Sequence, residues 1–201
     1  MYYDSVYKNN PKISKKKPNR LLPEIAKKLS LGMNVLDLGC GQGRDAFYMA
    51  RQKFDVTAVD SSKAAVSQIK DVLREKKIDN IRVICQDIAK FKIEPGKYSF
   101  INCCNSLQFL PKRNALKVIE NIQKNILPGG FIAIVSFVAN TQLLDKNKSR
   151  FGLGEMKKMF SSGNFKILHY FEGDRLEKGH IGRTEPHSHR IVEIVAEKIG
   201  K

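Results

Sequence analysis

The residues able to do chemistry begin with an acid and a run of alternate glycines. Asp37 lies in the apolar stretch Val35-Leu36-Asp37-Leu38, and Gly39, Gly41 and Gly43 follow it as Gly-Cys-Gly-Gln-Gly. Glycine lets a backbone turn sharply and run close against a ligand. A carboxylate beside such a turn repels a pyrophosphate but suits a cation. Asp60 closes the next apolar run, 54–59, about 20 residues beyond Gly41. Nucleotide-binding α/β folds place an acid at that distance to accept ribose hydroxyls. The pattern calls for a positively charged nucleoside without phosphates. The dinucleotide fingerprint differs, because its third glycine falls one position later than Gly43. With Asp37, that spacing argues against a nicotinamide-dependent oxidoreductase.

A second group of reactive types is the stretch 179–190, which holds His180, Arg183, His187, His189 and Arg190. Three readings compete for it. His180, His187 and His189 would make a metal site, yet no carboxylate or cysteine lies at convincing ligand spacing, and no metal is expected. A solvated loop is the second. The third is an anion site, in which Arg183, Arg190 and His187 bind an acidic substrate or take a proton from it. The anion site fits the residue types best. No catalytic residue is singled out.

These groups need a frame. Residues 35–38 read as a buried strand, the glycines as a turn, and Ala46, Phe47, Met49 and Ala50 recur at helical spacing over 44–51. A second strand over 54–59 leads to a helix capped by Ser61-Ser62 and running to about 77. Further strands are expected over 81–85, 98–104 and 131–138, with a helix opened by Pro111 and running to about 126. Leu127-Pro128-Gly129-Gly130 breaks that helix. A short helix near 155–160 and a hairpin of strands 165–171 and 190–197 complete the pattern. The fold class expected is α/β: a Rossmann-like, seven-stranded mixed sheet, mostly parallel with an antiparallel last strand, flanked by helices. Residues 1–17 read as an irregular, flexible, basic N-terminal arm, and 18–201 as one domain.

The 201 residues suffice for one domain with a full core. No apolar run is long enough to span a membrane and no apolar leader is seen, so a cytoplasmic protein without membrane partners is expected. Cys40, Cys85, Cys103 and Cys104 lack zinc-type spacing and read as small buried residues, with Cys103-Cys104 a minor candidate for a thiol pair facing a soft substrate. The net charge of +16 stands out, and residues 1–28 carry eight Lys/Arg against Asp4 and Glu24. Such a charge admits RNA or an anionic small molecule as partner.

The run 35–46 resembles the first motif of class I S-adenosylmethionine-dependent methyltransferases, and Leu127-Pro128-Gly129-Gly130 before a strand resembles another recurrent feature of that class. The resemblance implies S-adenosylmethionine as cofactor. It gives Asp60 the ribose and Asp87 the adenine amino group, with the amide of Ile88 on a ring nitrogen. Arg20 and a tyrosine of the arm, folded as a lid, would stand near the methionine end. The cofactor-binding set is then Arg20, Asp37, Gly39, Gly41, Gly43, Asp60, Ser61, Asp87, Ile88 and Cys104, and the substrate-binding set His180, Arg183, His187 and Arg190. Members that methylate exocyclic amines carry Asn/Asp-Pro-Pro-Tyr/Phe after the fourth strand. Here the chain reads Asn105-Ser106-Leu107-Gln108, which argues against that chemistry. Within the class, 36–45, 48–50, 55–60 and the Arg183-Thr184-Glu185 loop with the strand after it look like the tellurite-resistance methyltransferase family. That resemblance implies methylation of tellurite, selenite or a thiol-like small acceptor. An RNA methyltransferase is the alternative, and a cofactor-binding module without turnover a further one.

Overall fold

The computed structural model describes residues 2–10, 17–139, 151–161, 163–177 and 185–200. Its sheet contains β1 (Asn34–Leu38), β2 (Asp55–Asp60), β3 (Ile81–Cys85), β4 (Phe100–Cys104), β5 (Phe131–Phe137), β6 (Phe165–Glu177) and β7 (His187–Lys198) in the order β3-β2-β1-β4-β5-β7-β6. Strands β1 to β5 pair in parallel, whereas β7 runs antiparallel to both β5 and β6. The near-continuous apolar runs of β1, β2, β4 and β5 follow from this, since helices cover both faces of a parallel sheet. On one face α2 (Leu22–Ala26), α3 (Arg44–Arg51) and α4 (Lys63–Glu75) bury Leu22, Phe47, Met49 and Ile69 with Val35, Val56 and Phe100. On the other, α5 (Lys112–Asn125) and α6 (Glu155–Ser161) bury Ile119, Ile122 and Phe160 with Leu36, Ile101 and Ile134.

The strand order reverses between β1 and β4. In open α/β sheets a crevice forms there, outside the carboxyl ends of the strands, and ligands bind in it. Every acid singled out in the sequence as cofactor-binding lies in or just after a strand at that rim.

The structure corrects the sequence reading in four places. Tyr2–Asn9, expected to be irregular, forms a helix, α1. The hairpin strands extend past their expected limits, so His187 and His189 join Arg190 in β7 and not in a loop. Their polar sequence hid the strand, because beyond the sheet rim the hairpin has little apolar core to face. Cys85 is exposed and not a core residue. Cys103 and Cys104 are buried on opposite faces of β4, so they make no joint thiol surface. Among the described residues no helix is long and apolar enough to cross a membrane.

Candidate active site

The glycine turn is built by close approach. Beyond β4 the chain reverses at Asn105, whose φ of 58° is left-handed, a conformation asparagine tolerates better than most residues. This carries Ser106 beneath the turn, where its Oγ donates to the Leu38 carbonyl at 3.0 Å. A Cβ at Gly39 (φ +74°) would lie 2.3 Å from the Ser106 Cβ, so no side chain fits. Gly43 precedes α3 with φ 81°, and its carbonyl accepts the Phe47 amide at 2.8 Å.

Asp60 ties this turn to the next one. Its Oδ2 accepts the Gly41 amide and its Oδ1 the Ser62 amide, both at 2.8 Å. Burial pushes the Asp60 carboxyl above its ordinary range against the opposing pull of those amides. The Ser61 amide adds to that pull. Ser62, the second residue of the expected serine pair, is the one that caps α4, accepting the Ala65 amide at 3.1 Å.

Behind the turn sits a buried acid pair. Asn102 on β4 donates to Asp37 Oδ1 at 2.8 Å and reaches Asp45 Oδ2 at 3.5 Å. Asp45 also accepts both guanidinium arms of Arg44, at 2.8 and 2.9 Å, and the Asn19 amide at 2.9 Å. Burial, reinforced by the Asp45 charge, pushes Asp37 up to about 7. Asp37 Oδ2 is buried with no hydrogen-bond partner among the described residues. A bare carboxylate oxygen in such a place calls for a cation or a donor, so the donor set fits a sulfonium nucleoside with an ammonium tail. Asp45 and Asn102 escaped the sequence reading. The available signal was Asn102 itself, a polar residue inside the otherwise apolar strand Phe-Ile-Asn-Cys-Cys.

Helix α1 lies over the same rim. Asp4 accepts the Ser62 hydroxyl at 2.8 Å and the Ala64 amide at 3.0 Å, a second cap on α4, and these donors hold its carboxyl down at about 2. Gln68 donates to the Tyr7 carbonyl at 2.9 Å and Gln42 to the Asn10 carbonyl at 2.7 Å. Tyr3 meets Phe109 edge-on at 4.6 Å. The Tyr7 hydroxyl stands over Gly41, where a Cβ would be only 2.8 Å from it. Burial pushes the Tyr7 phenol up, so it stays protonated.

The remaining expected residues divide. Asp87 Oδ1 accepts the Ala89 amide at 2.9 Å in a local turn, and Ile88 is buried beside it. Burial lifts the Cys104 thiol well above its ordinary range, so it is no thiolate nucleophile. Arg20 forms a two-armed ion pair with the buried Glu193 of β7, with its Nε at 3.0 Å. His169 Nε2 is 3.3 Å and Arg175 3.9 Å from that same carboxylate. His187 and His189 share one face of β7, with their Nε2 atoms 2.8 Å apart. Arg190, two-armed on Asp174 at 3.2 and 3.3 Å, alternates to the opposite face, so it is separated from the histidines it was expected to join. His180 and Arg183 lie outside the described residues. No cluster of three or more His, Cys, Asp or Glu able to hold a metal occurs among the described residues.

With this geometry in place, comparison with known proteins is decisive on kinship. The profile described as "Tellurite resistance protein TehB" matches residues 11–195. The chain belongs to the TehB family. The probable S-adenosyl-L-methionine-dependent methyltransferase TehB of Haemophilus influenzae (strain 10810) is 27% identical over 166 residues, which are 83% of this chain and 56% of that relative. The chain thus spans about half the length of that relative. The crystal structure of TehB from Haemophilus influenzae superposes with a TM-score of 0.80 at 22% identity, covering 98% of this chain and 66% of the other. The Burkholderia thailandensis 1,6-didemethyltoxoflavin-N1-methyltransferase, solved with its substrate and S-adenosylhomocysteine, gives a TM-score of 0.70 at 17% identity, covering 99% and 86%. The TehB fold, a class I methyltransferase fold, is the one expected from the sequence.

Proposed function

We propose that this TehB-family chain is an S-adenosylmethionine-dependent methyltransferase acting on a small anionic or soft nucleophile, with tellurite, selenite and thiol-like compounds as candidate acceptors. The observation that carries the reading is the unpartnered, buried Asp37 Oδ2 beside the glycine turn. A phosphate-bearing nucleotide would meet repulsion there, and a cationic one is drawn in. Asp60 would receive the ribose hydroxyls beside the amides of Gly41, Ser61 and Ser62. Gly39, Gly41 and Gly43 admit the cofactor against the backbone. Asp87, Ile88 and Ser61 border the adenine end, and Arg20 and Cys104 the methionine end.

When bound, the cofactor supplies an electrophilic methyl group on a positively charged sulfur. The protein's task is placement, since holding two reactants near attack geometry contributes on the order of several kcal/mol. The family's description supports tellurite as acceptor, and the relative's name supports the methyl donor. A cytoplasmic setting goes with this reading, in keeping with four free cysteines. An RNA acceptor is the second reading, favoured by the net charge of +16.

Calorimetry tests the cofactor assignment. S-adenosylmethionine and S-adenosylhomocysteine bind the chain, and Asp60→Ala abolishes binding. Binding of NADH in their place overturns the proposal.

A further inference from the structure

We propose that Arg175 holds the negatively charged oxygens of the methyl acceptor, so that the chain chooses among small acceptors by charge. This rests on the methyltransferase reading above and narrows its acceptor.

Sheet register brings the cation to the right place. On that reading the cofactor runs along the rim from β3 through β2 to β1, which leaves the acceptor to β4, β5 and β7 on the far side of the reversal. Cys104, Val135, Glu193 and Phe171 are successive register partners across β4, β5, β7 and β6. Asn102, which holds Asp37, belongs to the next row on the same face, as does His169. Glu193 is thus two strand spacings, about 10 Å, from the carboxyl end of β4. Arg175 stands on that face of β6, and its long side chain returns to the Phe171 ring, 3.7 Å from the centroid. Gly173 between them makes room: a Cβ there would come within 3.0 Å of that ring.

The donors of Arg175 call for an acceptor. Its Nε is buried with no hydrogen-bond partner among the described residues, and its Nη2 is 3.9 Å from Glu193, beyond hydrogen-bond reach. An unanswered buried donor on a charged group is costly, and an anion relieves it. The side chain remains 39% exposed, so a small solute can reach it. Glu193 by itself would repel an anion. Arg20, with an arm on each of its oxygens, cancels that charge. Arg20, Arg175 and Glu193 together leave a positive charge in excess, and it resides on the guanidinium without a hydrogen-bonded carboxylate. Arg190, expected from the sequence to serve an anion, is paired with Asp174 on the opposite face. A guanidinium also presents its donors in a planar fork that matches the oxygens of a carboxylate or a similar oxyanion.

Calorimetry on the chain saturated with S-adenosylhomocysteine tests the assignment. The probes are thioglycolate, its uncharged counterpart mercaptoethanol, and selenite. At least one of the two anions binds the wild type about tenfold or more tighter than mercaptoethanol. Arg175→Gln removes that preference and leaves the affinity for mercaptoethanol as it was. Arg175→Lys, which keeps the charge and loses the fork, retains part of the preference. Affinity for S-adenosylhomocysteine is the same in both variants. A preference for thioglycolate assigns the charge to a carboxylate carried by an organic acceptor, and one for selenite alone assigns it to the reacting oxyanion itself. A purely structural Arg175 would weaken all three probes alike, and that result overturns the proposal. So does a wild type that binds neither anion, or anion binding indifferent to Arg175→Gln. Each of these leaves the methyltransferase reading standing, whereas failure of the wild type to bind S-adenosylhomocysteine overturns that reading itself.

Discussion

Asp37 is the residue at which burial and charge oppose each other most directly. Its carboxyl, pushed up to about 7 by desolvation and by Asp45, must ionise to attract a cation. The signs follow from linkage. In the ligand-free fold the raised value favours the neutral acid. The stability this gives is complete below the ordinary carboxylate range, near pH 4, and is lost as pH rises through about 7. Cation binding has the opposite sign. Affinity for S-adenosylmethionine should weaken by up to about tenfold per pH unit below pH 7 and level off above it, with Asp37→Asn flattening the profile. Calorimetry across pH 5.5 to about 8 checks this, and a flat wild-type profile would remove Asp37 from the role. Asp37 and Asp60 were legible in the sequence because an acid stands out in or beside an apolar run. Asp45, Asn102 and Glu193 were not, since their meaning comes from partners far along the chain.

At the level of elements, the glycine turn and α1 make separate demands. Gly39→Ala would press a methyl group against Ser106 in a left-handed backbone. The expected loss is about 1–3 kcal/mol, hence a Tm lower by roughly 2 to 10 °C, with weakened cofactor binding. Thermal unfolding with and without S-adenosylhomocysteine measures both. For α1 the tether is Asp4 on the α4 N-terminus. Asp4→Ala should speed amide hydrogen exchange over residues 3–9 while leaving β1 and β4 protected. The parallel strands were legible because helices bury both of their faces and keep them apolar. The helix α1 was not: eight residues do not hold a helix unaided, and its anchors Gln42, Ser62, Ala64 and Gln68 lie far off in sequence. The outer ends of β6 and β7 were missed for a related reason, since pairing with each other keeps a polar segment extended.

For the whole molecule, the net charge of +16 draws in any polyanion, and salt separates attraction from recognition. In gel shifts, retention of unspecific RNA should disappear near 0.15 M salt, where charges are screened beyond about 8 Å. Retention of one RNA that survives this salt would favour the RNA reading over the small-molecule one. The same scale shows how the sheet ends. In the described sheet β6 is the terminal strand, and its open side offers amides and carbonyls to any passing chain. The slip in pairing between Ile167 and His169 breaks the even ladder that an incoming strand would need. Lys166, Glu172, Asp174 and Arg175 line it with charge of both signs. The hairpin that carries the histidines therefore also discourages fibre growth from the sheet's margin.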